Sequence, residues 1–136
     1  MKHIKISNFI PGTAWFFVVL ILLCMPGDDI PSNDWIEIIY FDKWVHTGIF
    51  GLMAFLFMMP VALSPTRSRK KLQYFILIAI ATSLWGLTTE FIQKFWVSGR
   101  NFDLFDWAAD SLGAFTSLII CRKKFISFRR KINGAN

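Results

Sequence analysis

Asp42, Lys43 and His46, then Glu90, Gln93 and Lys94, then Arg100, and finally Asp103, Asp106 and Asp110 are the residues of this chain that could do chemistry. Each group interrupts sequence that is otherwise apolar. Imidazole and carboxylates move protons, while lysine and arginine meet phosphate, so the set suits proton transfer beside an anionic group. His46, Glu90 and Asp106 are the candidates for proton transfer. Asp42, Lys43, Gln93, Lys94, Arg100, Asp103 and Asp110 are the candidates for binding. Asp42 and His46 stand one helical turn apart and can meet on one face, although Asp42 is equally suited to cap the helix start. Asp106, Asp110, Gly113 and Ser117 follow steps of four, three and four, and Thr82, Gly86, Glu90 and Gln93 follow four, four and three, so each quartet lies on one helical face.

A competing reading makes these residues an ion-pair network that fixes helix register without chemistry, with Arg100 paired to Glu90 or Asp106. A metal site with His46, Glu90, Asp106 and Asp110 as ligands is the weaker reading, because no close His/Cys/Asp spacing marks one. No metal and no cofactor are therefore expected.

The elements that must carry these residues are membrane helices. Of 136 residues 54% are hydrophobic and 18% charged, and 15 Phe with 6 Trp exceed what so small a soluble domain could bury. Four apolar stretches, at about 9–25, 44–63, 72–95 and 104–121, each approach the roughly 20 residues needed to cross a bilayer. Lipid offers the backbone no hydrogen bonds, and the alternation of a barrel is absent, so each stretch is expected to be a helix. The fold class is all-α: a polytopic four-helix transmembrane bundle forming one domain over 1–136.

Charge sets the expected orientation. Lys2 and Lys5 precede the first span, Arg67, Arg69, Lys70 and Lys71 fill the second connection, and Arg122, Lys123, Lys124, Arg129, Arg130 and Lys131 follow the last. All nine acids belong to the opposite side, so both termini are expected in the cytoplasm. The net charge of +6 then reflects topology, and nucleic acid is not an expected partner. The run from Lys2 to Leu23 resembles a signal peptide but lacks a small-residue cleavage pattern, so the first span is expected in the mature chain. It should pack at the periphery. Cys24 and Cys121 fall at opposite ends of their spans, too far apart to pair.

Ser64 to Lys71 reads as a short basic turn, and 34–41 as a segment lying in the outer interface. Counting about 1.5 Å per residue puts Glu90 about 27 Å above Leu72, and Asp110 about 18 Å above Arg122. Glu90 is thus expected near the outer boundary and Asp110 deeper in the core. An ionised carboxylate there costs about 3 kcal/mol, so Asp110 needs a partner, a proton or water. Thr47, Gly51 and Ala54 form a small-residue stripe suited to helix packing. No G-x-S-x-G, P-loop or Rossmann glycine pattern occurs.

DKWVH at Asp42–His46, EFIQKF at Glu90–Phe95, Arg100 and DWAADSLG at Asp106–Gly113 together resemble the VanZ-like family of small bacterial membrane proteins. The resemblance runs from Asp42 to the end of the fourth span. It implies a multi-pass protein of the bacterial cytoplasmic membrane and cell envelope, with a founding member linked to teicoplanin resistance, but no established reaction. That family commonly has Asn where this chain has Asp110, so Asp110 is either protonated or neutralised by Arg100 or Lys94. Two functions follow as expectations. One is a site for a polyprenyl- or lipid-linked envelope intermediate, with Lys43, Lys94 and Arg100 on its phosphate and the spans holding its tail. The other is a non-catalytic scaffold or accessory subunit whose cluster packs helices or docks an envelope enzyme. A transporter is a weaker third, since four short spans give little room for alternating access.

Overall fold

The computed structural model describes residues 4–25 and 41–127. The stop expected at Pro26–Asp29, nearly all of the expected interfacial segment, Lys2 and the basic tail from residue 128 onward lie outside the described residues. Four helices make up the fold: α1 (Ile10–Leu23), α2 (Phe41–Leu63), α3 (Ser68–Trp96) and α4 (Leu104–Cys121). A 3-10 turn, Ile6–Phe9, leads into α1, and a π-helical segment, Arg122–Ser127, continues α4. No strand occurs among the described residues. All four spans are long and apolar enough to cross a membrane, so this is a multi-pass membrane protein.

Packing between α2 and α4 dominates the bundle, with α3 against both and α1 outermost. Hydrocarbon solvates leucine as well as a protein interior does, so close backbone approach and cross-helix hydrogen bonds hold such helices together. The small-residue stripes supply both. Gly51 faces Gly113 so closely that a methyl on Gly51 would lie 3.2 Å from the Gly113 carbonyl oxygen. Ser117 Oγ donates to Gly51 O at 2.7 Å and Thr47 Oγ1 to Ala109 O at 3.2 Å. On the other side Trp107 Nε1 donates to Ser83 O at 3.0 Å, and the Ser83 and Ser111 hydroxyls share a 2.7 Å bond.

Helix α1 exposes most of its apolar surface, as its uniform hydrophobicity implies. Two polar side chains tether it. Trp15 Nε1 donates to Ile49 O at 3.0 Å, and Gln93 Nε2 to Leu23 O at 3.1 Å. Trp15→Phe keeps an aromatic ring, trims the indole to a phenyl group and deletes the first bond. It is expected to cost about 1 kcal/mol in detergent unfolding, leaving the second tether intact.

Two boundaries differ from those read in the sequence. Helix α3 starts at Ser68, so the basic turn contracts to its first residues, and Lys71 is buried with Nζ donating to Ala62 O. A lysine beside a helix C-terminus finds free carbonyls there, which stabilises it more than the interface would. The fourth span also runs past Cys121 to Ile126. Asp110 packs against Gly86, one turn before Glu90 on α3, so its backbone sits deeper than that of Glu90, as expected, while donor atoms of the two carboxyl groups lie within 4.8 Å.

Candidate functional site

Each element presents its polar residues to a common point by a local device. In α2, Lys43 and His46 sit in the first two turns. In α3, the stripe Thr82, Gly86, Glu90 and Gln93 is buried throughout. After α3 the chain reverses at Gly99, whose φ of 72° is the left-handed conformation that glycine adopts without strain. Asp103 then caps α4, its side chain accepting from Phe105 N at 2.8 Å, while its own N–H donates to Glu90 Oε2 at 2.9 Å. The α3–α4 connection is thereby pinned to Glu90, and Asp106 and Asp110 follow on the inner face of α4.

The resulting cluster has two tiers. In the upper tier Lys43 Nζ reaches Asp42 at 2.9 Å, Asp103 at 2.6 Å and Asp106 at 2.5 Å, with the lysine side chain 22% exposed. The ammonium has three protons, and each finds a carboxylate. The hydrogen bond from Lys43 holds Asp103 below the usual carboxylate range. In the lower tier His46 Nδ1 lies 2.9 Å from Asp110 Oδ1, and Nε2 lies 3.9 Å from Asp106 Oδ2. Glu90 and Asp110 are fully buried and His46 nearly so. Suitable donor atoms of His46, Glu90 and Asp110 all lie within 4.8 Å of one another.

Glycine lets Asp110 into this tier. A methyl at Gly86 would stand 2.6 Å from Asp110 Oδ2 and 2.8 Å from its Cβ, so α3 presents bare backbone where the aspartate passes. Polar demand in the tier exceeds what the described residues supply: among them, Glu90 Oε1 and Asp110 Oδ2 are buried without a hydrogen-bond partner.

Of the ten residues singled out in the sequence, Lys43, His46, Glu90, Asp103, Asp106 and Asp110 come together, and Asp42 joins them through Lys43. The pairings differ from those expected. His46 meets Asp110 across the α2–α4 interface, while Asp42 meets Lys43. Asp110 is partnered by His46 in place of Arg100 or Lys94. Lys94 is exposed and stands over the Phe95 ring, 5.4 Å from its centre. Gln93 is spent on α1. Arg100 pairs with neither Glu90 nor Asp106; Glu90 Oε2 accepts from the Asp103 N–H and Asp106 Oδ1 from Lys43. Arg100 makes no ion pair among the described residues, and its Nε is buried without a partner. Thr47, Ser83, Ser111 and Trp107 support the cluster from outside that set, and the small-residue stripes were the available signal for the first of them.

This arrangement defines a class: a four-helix membrane protein with a buried, carboxylate-rich polar site between α2, α3 and α4, toward one end of the spans. Comparison with family models, characterised proteins and solved structures gives no match to this chain.

Proposed function

We propose that the chain is a VanZ-like protein of the bacterial cytoplasmic membrane, with both termini in the cytoplasm. In this reading the site faces outward and binds the phosphate-bearing headgroup of a lipid-linked envelope intermediate. The observation that carries it is the difference between two cations, Lys43 within the site and Arg100 on the α3–α4 connection that leads into it. Lys43 is consumed by three carboxylates, whereas Arg100 has a buried Nε with no partner among the described residues. A guanidinium takes phosphate in a bidentate grip, so Arg100 is the phosphate residue, with exposed Lys94 a secondary contact. Lys43 instead orients the acids. His46, Glu90 and Asp106 are placed to move a proton at the headgroup, and Asp110 fixes the imidazole. An apolar crevice of about 260 Å³ between α1, α2 and α3, lined by Phe16, Met53, Phe57, Ile78 and Trp85 among others, suits part of the lipid tail. Met53 lies two turns below His46, about 10 Å along the helix, within reach of such a ligand.

The three-way grip on Lys43 favours a second reading, in which the cluster locks α2 to α4 and the protein is a scaffold or accessory subunit. Lipoglycopeptide susceptibility separates the two, in a bacterial host carrying wild type, His46→Gln, Arg100→Gln or Asp106→Asn, with membrane abundance measured for each. Wild type is expected to protect, and Arg100→Gln at equal abundance to fall to the level of the empty host. Protection that falls only in step with abundance supports the scaffold, and no protection by wild type removes the resistance role.

A further inference from the structure

We propose that His46, Glu90 and Asp110 form a binding site for one divalent transition cation of the zinc or manganese class. Three independent helices each contribute one ligand: His46 from α2, Glu90 from α3 and Asp110 from α4. Their donor atoms lie within 4.8 Å of one another, the spread expected of ligands about 2.0–2.2 Å from a shared ion after side-chain adjustments of under an ångström or so. One imidazole with two carboxylates suits zinc or manganese, and the small number of protein ligands leaves coordination positions for water or an anion.

A second observation points to a ligand. Glu90 Oε1 and Asp110 Oδ2 are completely buried and have no partner among the described residues, although both residues are anchored through their other oxygens. A hydrophobic bundle does not need this arrangement for packing, and unsatisfied carboxylate oxygens inside a membrane span are costly. Two carboxylates and a neutral imidazole carry a charge of about −2, which one divalent cation cancels, so ligand binding turns the least favourable part of the bundle into a neutral cross-link of three helices.

The surroundings also supply the support that metal-bound groups require. Metal-bound histidine ordinarily gives its second ring N–H to a carboxylate. Here the Asp106 carboxylate lies 3.9 Å from Nε2, so with Nδ1 on the ion a small shift brings Asp106 into hydrogen-bond range of the other ring nitrogen. Glu90 is fixed by the Asp103 N–H, and Asp106 in turn by Lys43. The site does not depend on the lipid ligand, because all three donors belong to the chain.

The test uses the full chain purified in detergent micelles, stripped with a chelator, then titrated with Zn²⁺ and separately with Mn²⁺. Bound metal is counted by mass spectrometry, and pulsed electron paramagnetic resonance of the Mn²⁺ form reads nitrogen coupling. Expected are one ion per chain, a higher unfolding temperature when loaded, and coupling to a single imidazole nitrogen. Glu90→Gln and Asp110→Asn should each weaken binding by about tenfold or more, since even groups that only support a metal ligand are worth about 10–100-fold. Absence of saturable binding of either ion by folded wild type overturns the site, as does undiminished binding in both amide variants. Should those variants fail to fold, the wild-type spectrum decides alone: Mn²⁺ bound without imidazole coupling is not at His46, and the proposal falls.

Discussion

Replacing Gly113 with alanine is expected to lower stability by about 3 kcal/mol or more, at the upper end for overpacking a close-packed interface. The added methyl would overlap the carbonyl oxygen of Thr47 and lie 2.8 Å from the backbone nitrogen of Gly51. Backbone on the facing helix cannot rotate aside as a side chain can, so α2 and α4 must separate. Separation lengthens the bonds that rely on their contact, Ser117 Oγ to Gly51 O and Thr47 Oγ1 to Ala109 O, and pulls His46 from Asp110. Gly48→Ala is the matched control. It lies in α2, the helix that Gly113 faces, a methyl there meets nothing within 4 Å, and alanine is the better helix former by about 1 kcal/mol. Thermal unfolding in detergent, followed by circular dichroism, should show Gly113→Ala well below wild type and Gly48→Ala at or above it. Equal behaviour of the two variants would mean that the α2–α4 contact is not where the bundle is held.

Why Gly113 could be singled out before any coordinates bears on how the chain encodes its site. Within one helix, spacing alone tells which residues share a face, and the quartets Thr82–Gly86–Glu90–Gln93 and Asp106–Asp110–Gly113–Ser117 are buried throughout. Four spans were equally plain, because lipid demands long apolar runs whatever their partners. Pairing between helices was not legible. Whether His46 meets Asp42 one turn away or Asp110 on another helix depends on the axial register of α2 against α4. That register is set by glycine contacts and by where each helix ends. The fourth span also continues past Cys121 into a π-helical segment, and nothing in the basic run Arg122–Lys124 announces it. The partners of Lys43 were hidden for the same reason: its own helix offers only the adjacent Asp42, and tertiary structure delivers Asp103 and Asp106 to it.

Lys43→Met is expected to be the most damaging single change among the charged residues, because it removes one cation and strands three anions. Asp106 is only 11% exposed and its one other ion-pair neighbour among the described residues is the His46 imidazole at 3.9 Å, and Asp103 shares the same ammonium. Truncating one member of a buried pair costs about 3–5 kcal/mol. Asp42 and Asp103 are 57% and 39% exposed, so water screens part of the repulsion and about 2–3 kcal/mol is the better expectation here. The sign of a compensating change distinguishes stranded charge from lost packing. Adding Asp103→Asn and Asp106→Asn to Lys43→Met removes the uncompensated anions while keeping side-chain size, so at least half of the lost stability should return. A lysine that merely filled space would give no such recovery, since the amides restore none of its volume. Unfolding of wild type, the single variant and the triple variant in the same detergent measures this directly, and a triple variant no more stable than Lys43→Met would show that the ammonium acts through its packing and not through its three carboxylates.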